Sequence, residues 1–284
     1  MCIRDSDCTG DIPSGFKALN TANLPAPTIT DPSAHFETVL YEGDRDPGGG
    51  DVTITSLSFP PDLVWIKNRS QNDNHIVFDS IRGAGNYLYT NDTDDQPTTN
   101  LETLKAFTST GFTVGDYAET NEHEENFVAW CWKAGGTPTG DNSAANPGDA
   151  QSAGSVKIDG ANGSSATGTI KITRASANTT AGFSIVKYTG TSSTGTIPHF
   201  LSSVPEMVIV KRTSAADNWI VYHIGAHASA PEQYYLRLDT DDDNEDDTIW
   251  NDDKPDATTF NVFQNYSKVN FLNETYVAYC WHSI

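Results

Sequence analysis

Short apolar runs separated by turn residues dominate the chain, and their spacing predicts strands. Phe36–Tyr41 alternates polar and apolar positions, which is typical of a strand with one buried face. Leu63–Ile66 and Met207–Val210 are continuous apolar runs, as expected for strands that are covered on both faces. Phe127–Trp132 and Tyr276–Trp281 mix aromatic and small residues with a period of two. The pattern therefore predicts an all-β chain.

The strand pattern occurs twice along the chain. Pro61–Phe78 and Pro205–Tyr222 share eight of 18 residues at a constant offset of 144. Glu125–Trp132 and Glu274–Trp281 share five of eight residues at an offset of 149, and the order of the blocks is kept. We therefore predict two tandem homologous units. About seven short strands in about 100 residues favour an antiparallel, jelly-roll-like β-sandwich for each unit.

These blocks define the domain organisation. We predict β-sandwich units at residues 35–136 and 183–284. The linker between them, residues 137–182, is rich in Gly, Ser, Thr, Asn and Ala. Two alternating stretches within it, Ser155–Asp159 and Thr167–Arg174, predict a β-hairpin.

The N-terminal residues are set apart from the two units. Residues 1–6, MCIRDS, match the translated end of a sequencing-library adapter, so we exclude them from the fold prediction. Residues 7–34 are then expected to be the tail of an upstream domain followed by a linker.

The chain is strongly acidic, with 17 Lys and Arg against 38 Asp and Glu and a net charge of −21. Phosphate backbones would be repelled, so nucleic acid is not an expected partner. The longest apolar runs fall far short of the roughly 18 residues that a membrane helix needs, so no membrane insertion is expected. Beyond the adapter residues, the cysteines Cys8, Cys131 and Cys280 form no metal-binding motif. Cys131 and Cys280 are predicted to be buried, reduced thiols.

The most acidic stretch, DTDDDNEDD, is a candidate cation site. Asp239, Asp241 and Asp243 have the spacing of the first three ligands in a calcium loop. Asn244 replaces the glycine expected at the sixth position, and Trp250 stands where the last carboxylate ligand belongs. Calcium binding and a solvated acidic loop both remain open, and no other cofactor is predicted.

Aromatic residues gather around the loops of the second unit. The candidate glycan contacts are Trp219, Tyr222, Tyr234 and Trp250. An exposed aromatic ring can stack on a sugar because both present an apolar face. The alternative is that these rings fill the sandwich core, which needs the same residue types.

The sequence contains no recognisable catalytic motif. It has no G-x-S-x-G sequence, and its seven histidines are scattered. His223 and His227 lie four residues apart, but Gly225 between them favours two loop histidines over a helical metal pair. With 38 acidic residues, carboxylate pairs arise easily by chance. We therefore expect a protein that is not an enzyme.

Several longer phrases resemble an uncharacterised repeat domain family of tailed-phage virion proteins, which is common in marine phages. The first unit carries LVWIKNRS, FDSIRGAGNYLYTN and FVAWCWKAGG. The second carries NTTAGFSIVKYTG, PEMVIVK, NWIVYH and YVAYCWHS. The stretch Ser14–Pro25 resembles the exit from a SPRY or concanavalin-like lectin-type domain of the same proteins.

The resemblance implies a structural virion protein, in a tail or tail fibre, without defined chemistry. The expected partners are other virion proteins, a host-surface glycan or receptor, and a second copy of the chain. Two alternatives stay open at this point. One is a virion polysaccharide depolymerase, a glycoside hydrolase or lyase. The other is a secreted bacterial adhesin that depends on calcium.

Overall fold

Strands make up nearly all of the regular structure in the computed structural model, which describes residues 27–45, 50–147, 149–163 and 167–284. In the first half of the chain they are β1 (Phe36–Glu42), β2 (Val52–Ile54), β3 (Leu63–Asn68), β4 (His75–Asp79), β5 (Tyr87–Tyr89), β6 (Leu104–Thr108), β7 (Gly111–Val114) and β8 (Asn126–Trp132), with the single-turn helix α1 (Ala118–Asn121) before β8. In the second half they are β9 (Val156–Ile158), β10 (Ala161–Asn162), β11 (Ile172–Asn178), β12 (Phe183–Thr189), β13 (Gly195–Pro198), β14 (Met207–Arg212), β15 (Ile220–His223), β16 (Tyr234–Arg237), β17 (Glu245–Asp246), β18 (Thr259–Val262) and β19 (Thr275–Trp281). The expected adapter residues 1–6 and the stretch Ser14–Pro25 lie outside the described residues.

The first repeat is a sandwich of two antiparallel sheets. One sheet has the strand order β1-β8-β3-β4-β5, and the other has the order β2-β7-β6. Alternate residues of the larger sheet, such as Val64, Ile66 and Phe127, are buried against Ile54 and Phe112 of the smaller one. The period of two in the sequence thus corresponds to one face of each strand in this core.

The second repeat has the same strand order, which confirms the predicted all-β tandem architecture. Strands β12-β19-β14-β15-β16 follow the order of β1-β8-β3-β4-β5, and β13 and β18 form the facing sheet. Equivalent aromatic pairs have equivalent geometry in the two cores. The rings of Tyr41 and Phe127 are 5.1 Å apart at 13°, and those of Tyr188 and Tyr276 are 5.1 Å apart at 15°.

The linker between the repeats is part of the second sandwich, and the predicted hairpin between Ser155–Asp159 and Thr167–Arg174 is wrong. Strands β9 and β11 pair in parallel, and β11 pairs antiparallel with β12. The hairpin is instead formed by β9 and β10. Its two turn residues, Asp159 and Gly160, have φ of 49° and 86°. Asp-Gly with positive φ at both positions is the preferred two-residue hairpin turn, so the chain reverses earlier than predicted.

A third hydrophobic core joins the two repeats. The outer face of the five-stranded sheet packs against the outer face of the nine-stranded sheet. Its buried members are Leu63, Val77, Ile81, Leu88, Ala134, Phe183, Ile185, Ile209, Trp219, Val221, Val277 and Tyr279. Residues Asp31–Ile284 accordingly form one compact unit of four sheet layers.

A buried polar cluster crosses this repeat–repeat core. The Arg82 guanidinium donates to the Asp79 carboxylate with an Nε–Oδ2 distance of 2.5 Å, and both side chains are fully buried. The Tyr279 hydroxyl of the second repeat donates to the same carboxylate oxygen at 2.7 Å. Burial raises the pKa of the Tyr279 phenol well above its usual value, so the phenol stays protonated as a donor. The charged pair is thus satisfied by groups from both repeats.

No helix in the described ranges is both long enough and apolar enough to cross a membrane.

Candidate functional site

The structure does not bring the three candidate calcium ligands together into a metal-binding cluster among the described residues. The Asp239 carboxylate accepts hydrogen bonds from the Asn218 side-chain amide at 2.8 Å and from the Trp219 backbone amide at 2.9 Å. Asp241 and Asp243 are exposed to solvent. Within the described ranges, no group of three or more His, Cys, Asp or Glu side chains is placed to hold a metal ion.

The acidic loop carries its own counter-charge. The Arg237 guanidinium forms ion pairs with Asp242 at 2.8 Å and Glu245 at 2.5 Å. Hydrogen bonds from the Tyr235 hydroxyl and from Arg237 lower the pKa of the Glu245 carboxyl. Part of the loop's negative charge is therefore neutralised within the protein.

Three of the four predicted glycan contacts are core residues, which corrects the prediction for them. Tyr222 and Trp250 are buried in the core of the second repeat, where their rings meet edge to face at 6.0 Å. Trp219 is buried between the repeats, and its indole nitrogen donates to the Tyr89 carbonyl at 2.8 Å. Their rings are therefore not accessible to a sugar.

Tyr234 is the one predicted glycan contact that lies at the surface. Its ring is partly exposed and stacks on the His227 imidazole, with centroids 4.5 Å apart and planes at 13°. The neighbouring His223 is exposed as the last residue of β15, so only His227 lies in a loop as predicted. Because the imidazole covers one face of the phenol ring, only the other face is free for a ligand.

A different set of side chains, mostly aromatic, lies at the surface of the first repeat. We call it the aromatic surface and define it as Phe36, Leu40, Trp65, His75 and Trp130. Period-two alternation and the strand register place all five on the outer face of the five-stranded sheet. The second repeat covers the part of this face around Leu63, Val77 and Leu88, and the partly exposed Trp65 packs against the edge of that core. The remaining part, on β1 and β8, stays open.

The rings of the aromatic surface hold each other in place. Trp65 meets Trp130 edge to face at 6.2 Å and His75 at 6.3 Å. Phe36 and Leu40 are 40% and 64% exposed, and Trp65 and Trp130 are partly exposed. Burial and the nearby Lys67 ammonium lower the pKa of His75, so its imidazole is neutral at pH 7. Such a surface offers apolar ring faces beside a neutral imidazole and the exposed Thr38 hydroxyl, which suits a sugar's mixed surface.

The two predicted buried thiols are confirmed. Cys131 and Cys280 are free and buried at equivalent positions of the two repeats. Burial raises the pKa of each thiol to about 12, so neither is a nucleophile at neutral pH.

A pocket of about 310 Å³ lies where the first repeat meets the β9–β10 turn. Its most buried acid, Asp62, accepts hydrogen bonds from the Ser80 hydroxyl at 2.6 Å and from the amides of Ala134 and Gly136 at 2.8 and 3.1 Å. Burial raises the pKa of this carboxyl. The carboxylate therefore anchors the segment after β8, and we assign it a structural role.

Comparison with known proteins identifies a family. The model of a family described as "Domain of unknown function (DUF7483)" matches residues 31–158 and again residues 140–284. No match is found among curated proteins or among solved structures. The two matched regions correspond to the two sandwich repeats. The chain therefore belongs to the DUF7483 family and carries two copies of its domain.

Proposed function

We propose that the protein is a non-enzymatic structural component of a tailed-phage particle, in the tail or a tail fibre, that binds a host-surface glycan. The observation that carries the proposal is the aromatic surface of the first repeat. Exposure of large apolar rings to water is energetically unfavourable, and exposed apolar patches on soluble proteins commonly mark binding sites. The likeness of FDSIRGAGNYLYTN and FVAWCWKAGG to phage virion proteins supports the location.

The architecture supports recognition on a particle. The third core fixes both repeats in one unit, so the rings of Trp65 and Trp130 are presented on a rigid sheet. Binding to a rigid surface costs less conformational entropy than binding to a mobile loop. A weak single contact suffices, because many copies on one particle multiply its effect by avidity.

Trp130→Ala is expected to reduce retention on host cells and on the bound polysaccharide by about tenfold. Loss of one stacking contact of about 1.4 kcal/mol corresponds to that factor. The measurement incubates purified protein with host cells and with a panel of bacterial polysaccharides, and quantifies both retained protein and released reducing ends. Phe271→Ala serves as a control, because Phe271 is an exposed ring (43%) of the second repeat outside the aromatic surface.

Two outcomes would contradict the proposal. Release of reducing ends that a single Asp or Glu substitution abolishes would make the protein a depolymerase. If Trp130→Ala and Phe271→Ala reduce retention equally, the aromatic surface is not the binding site.

A further inference from the structure

The outer edge of β1 carries backbone groups whose hydrogen bonds are not made within the sheet. The Lys133 amide donates to the His35 carbonyl at 2.8 Å, and the Gly43 amide donates to the Glu125 carbonyl at 2.9 Å. In an antiparallel pair, bonded residues alternate, so odd-numbered residues of β1 bond to β8. The amides and carbonyls of the even-numbered residues therefore point away from the sheet. These residues are Phe36, Thr38, Leu40 and Glu42.

The second repeat covers the equivalent edge. Its strand β12 has the same relation to β19, and its outer side pairs antiparallel with β11 over Asn178↔Phe183, Ser176↔Ile185 and Arg174↔Lys187. Phe183 and Ile185 are fully buried there. The equivalents of these β12 positions in the first repeat, Phe36 and Thr38, are exposed.

Among the described residues, no strand lies on the outer side of β1, and this open edge is the longest one. It has seven residues, whereas the strands at the other sheet edges have two to five. Its side chains do not include Lys or Pro, and its two charged residues, Glu37 and Glu42, lie towards its ends. Leu40, at its centre, is 64% exposed. A long open edge is a template for pairing with another strand.

We propose that β1 pairs with β1 of a second copy of the chain, antiparallel and symmetric about Val39. This register places Phe36 opposite Glu42 of the second copy and Thr38 opposite Leu40 of the second copy. The amide and carbonyl of each of these residues point outward. In this register they can therefore form hydrogen bonds with the same residues of the second copy, on both chains at once. The two five-stranded sheets then form one continuous sheet.

Side chains fit this register. The two Leu40 side chains become diagonal neighbours across the new pair, within reach of one another. Glu42 faces Phe36 and Glu37 faces Tyr41, so no two carboxylates lie directly opposite. The net charge of −21 on each copy opposes association, and monovalent salt is expected to strengthen it by screening.

Sedimentation velocity of the full chain over a dilution series tests the proposal. We expect a dimer whose fraction rises with protein concentration and with sodium chloride. Leu40→Lys and Thr38→Pro are each expected to weaken association at least tenfold. Proline at position 38 removes only an outward amide, so the β1–β8 ladder stays intact. Leu272→Lys is the matched control, because it makes the same charge change at a 55% exposed leucine of the second repeat.

Hydrogen exchange on the amides of Phe36, Thr38, Leu40 and Glu42 gives the second measurement. These amides are expected to exchange fast in dilute monomer and slowly in the dimer, and Trp130→Ala is expected to leave the dimer intact. A monomer at every concentration, or a dimer that both edge variants leave unchanged, would overturn the proposal. So would amides already protected in the monomer, since another part of the chain would then cover the edge.

Discussion

Replacing Asp79 with alanine is expected to lower the free energy of unfolding by about 3–5 kcal/mol, because it leaves the buried Arg82 guanidinium without its partner. The same carboxylate accepts the hydroxyl of Tyr279 from the second repeat. The loss therefore weakens the contact between the repeats as well as the first repeat itself. Urea unfolding followed by intrinsic fluorescence measures the effect.

Two further variants make this prediction specific. Tyr279→Phe removes only the hydroxyl and is expected to cost about 1.5–3 kcal/mol, as for hydrogen bonds to charged groups. Asp116→Ala breaks an exposed ion pair with Arg45, 3.2 Å long, and is expected to cost less than about 1 kcal/mol. Equal losses for Asp79→Ala and Asp116→Ala would contradict the prediction, because the buried pair would then contribute no more to stability than an exposed one.

Acidification from about pH 6.5 to about pH 4 is expected to remove about 3 kcal/mol of stability through His199 alone. This imidazole is fully buried in the second repeat, and burial lowers its pKa to about 4. Its Nδ1 accepts from the Leu201 amide at 3.2 Å, and its Nε2 faces the Asp256 carbonyl at 3.1 Å. A proton on Nδ1 would point at the Leu201 N–H and replace this hydrogen bond with repulsion between two donors. The folded state therefore disfavours protonation of His199.

The sign of the effect follows from the protons bound in each state. Between about pH 4 and about pH 6.5 the unfolded chain holds a proton on His199 and the folded chain does not, so stability rises with pH. The contribution of His199 to the free energy of unfolding is fully present above about pH 6.5, and it is lost as the pH falls to about pH 4. His199→Gln is expected to flatten the slope of unfolding free energy against pH. His123→Gln, at an exposed histidine, is the control. Identical slopes for wild type and His199→Gln would contradict the assignment.

The sequence predicted the repeats and the central strands because both depend on local patterns. Leu63–Ile66 and Met207–Val210 are continuous apolar runs, and the structure buries both faces of these strands. One face lies in the core of its own repeat, and the other lies in the third core. The partner on that second face could not be predicted, since strand periodicity shows that a face is covered but not by what.

The linker strands and the aromatic surface were harder to predict for different reasons. The Asp159-Gly160 turn is a local signal and could have located the β9–β10 hairpin, whereas the parallel pairing of β9 with β11 depends on tertiary contacts. Aromatic residues carry no local signal of exposure, because Trp219 and Trp130 both lie on strand-like stretches. The alignment of the two repeats does contain a signal for the aromatic surface. Where the first repeat has Trp65 and Trp130, the second has Ile209 and Tyr279, so the open surface is particular to the first repeat.

A buried asparagine repeated in both units is a structural residue that the sequence motifs did not predict. The Asn121 amide donates to the carbonyls of Gly50 and Gly115 at 2.7 and 2.9 Å, and its oxygen accepts from the Asp44 amide at 2.9 Å. Asn270 makes three equivalent bonds in the second repeat. Each asparagine stands four residues before the glutamate that opens the repeated E-x-x-V-A-x-C-W block, so the alignment of the repeats contains the signal.

The most direct test of the proposed recognition role is the response of the six tryptophan indole N–H signals to a bound bacterial glycan, measured by NMR on the ¹⁵N-labelled protein. The signals are assigned by single Trp→Phe substitutions. We predict that glycan shifts the signal of Trp130, on the open part of the aromatic surface, and leaves those of the buried Trp219 and Trp250 unchanged. A shift confined to the other tryptophans, or no shift under conditions where the protein is retained on the glycan, would contradict it.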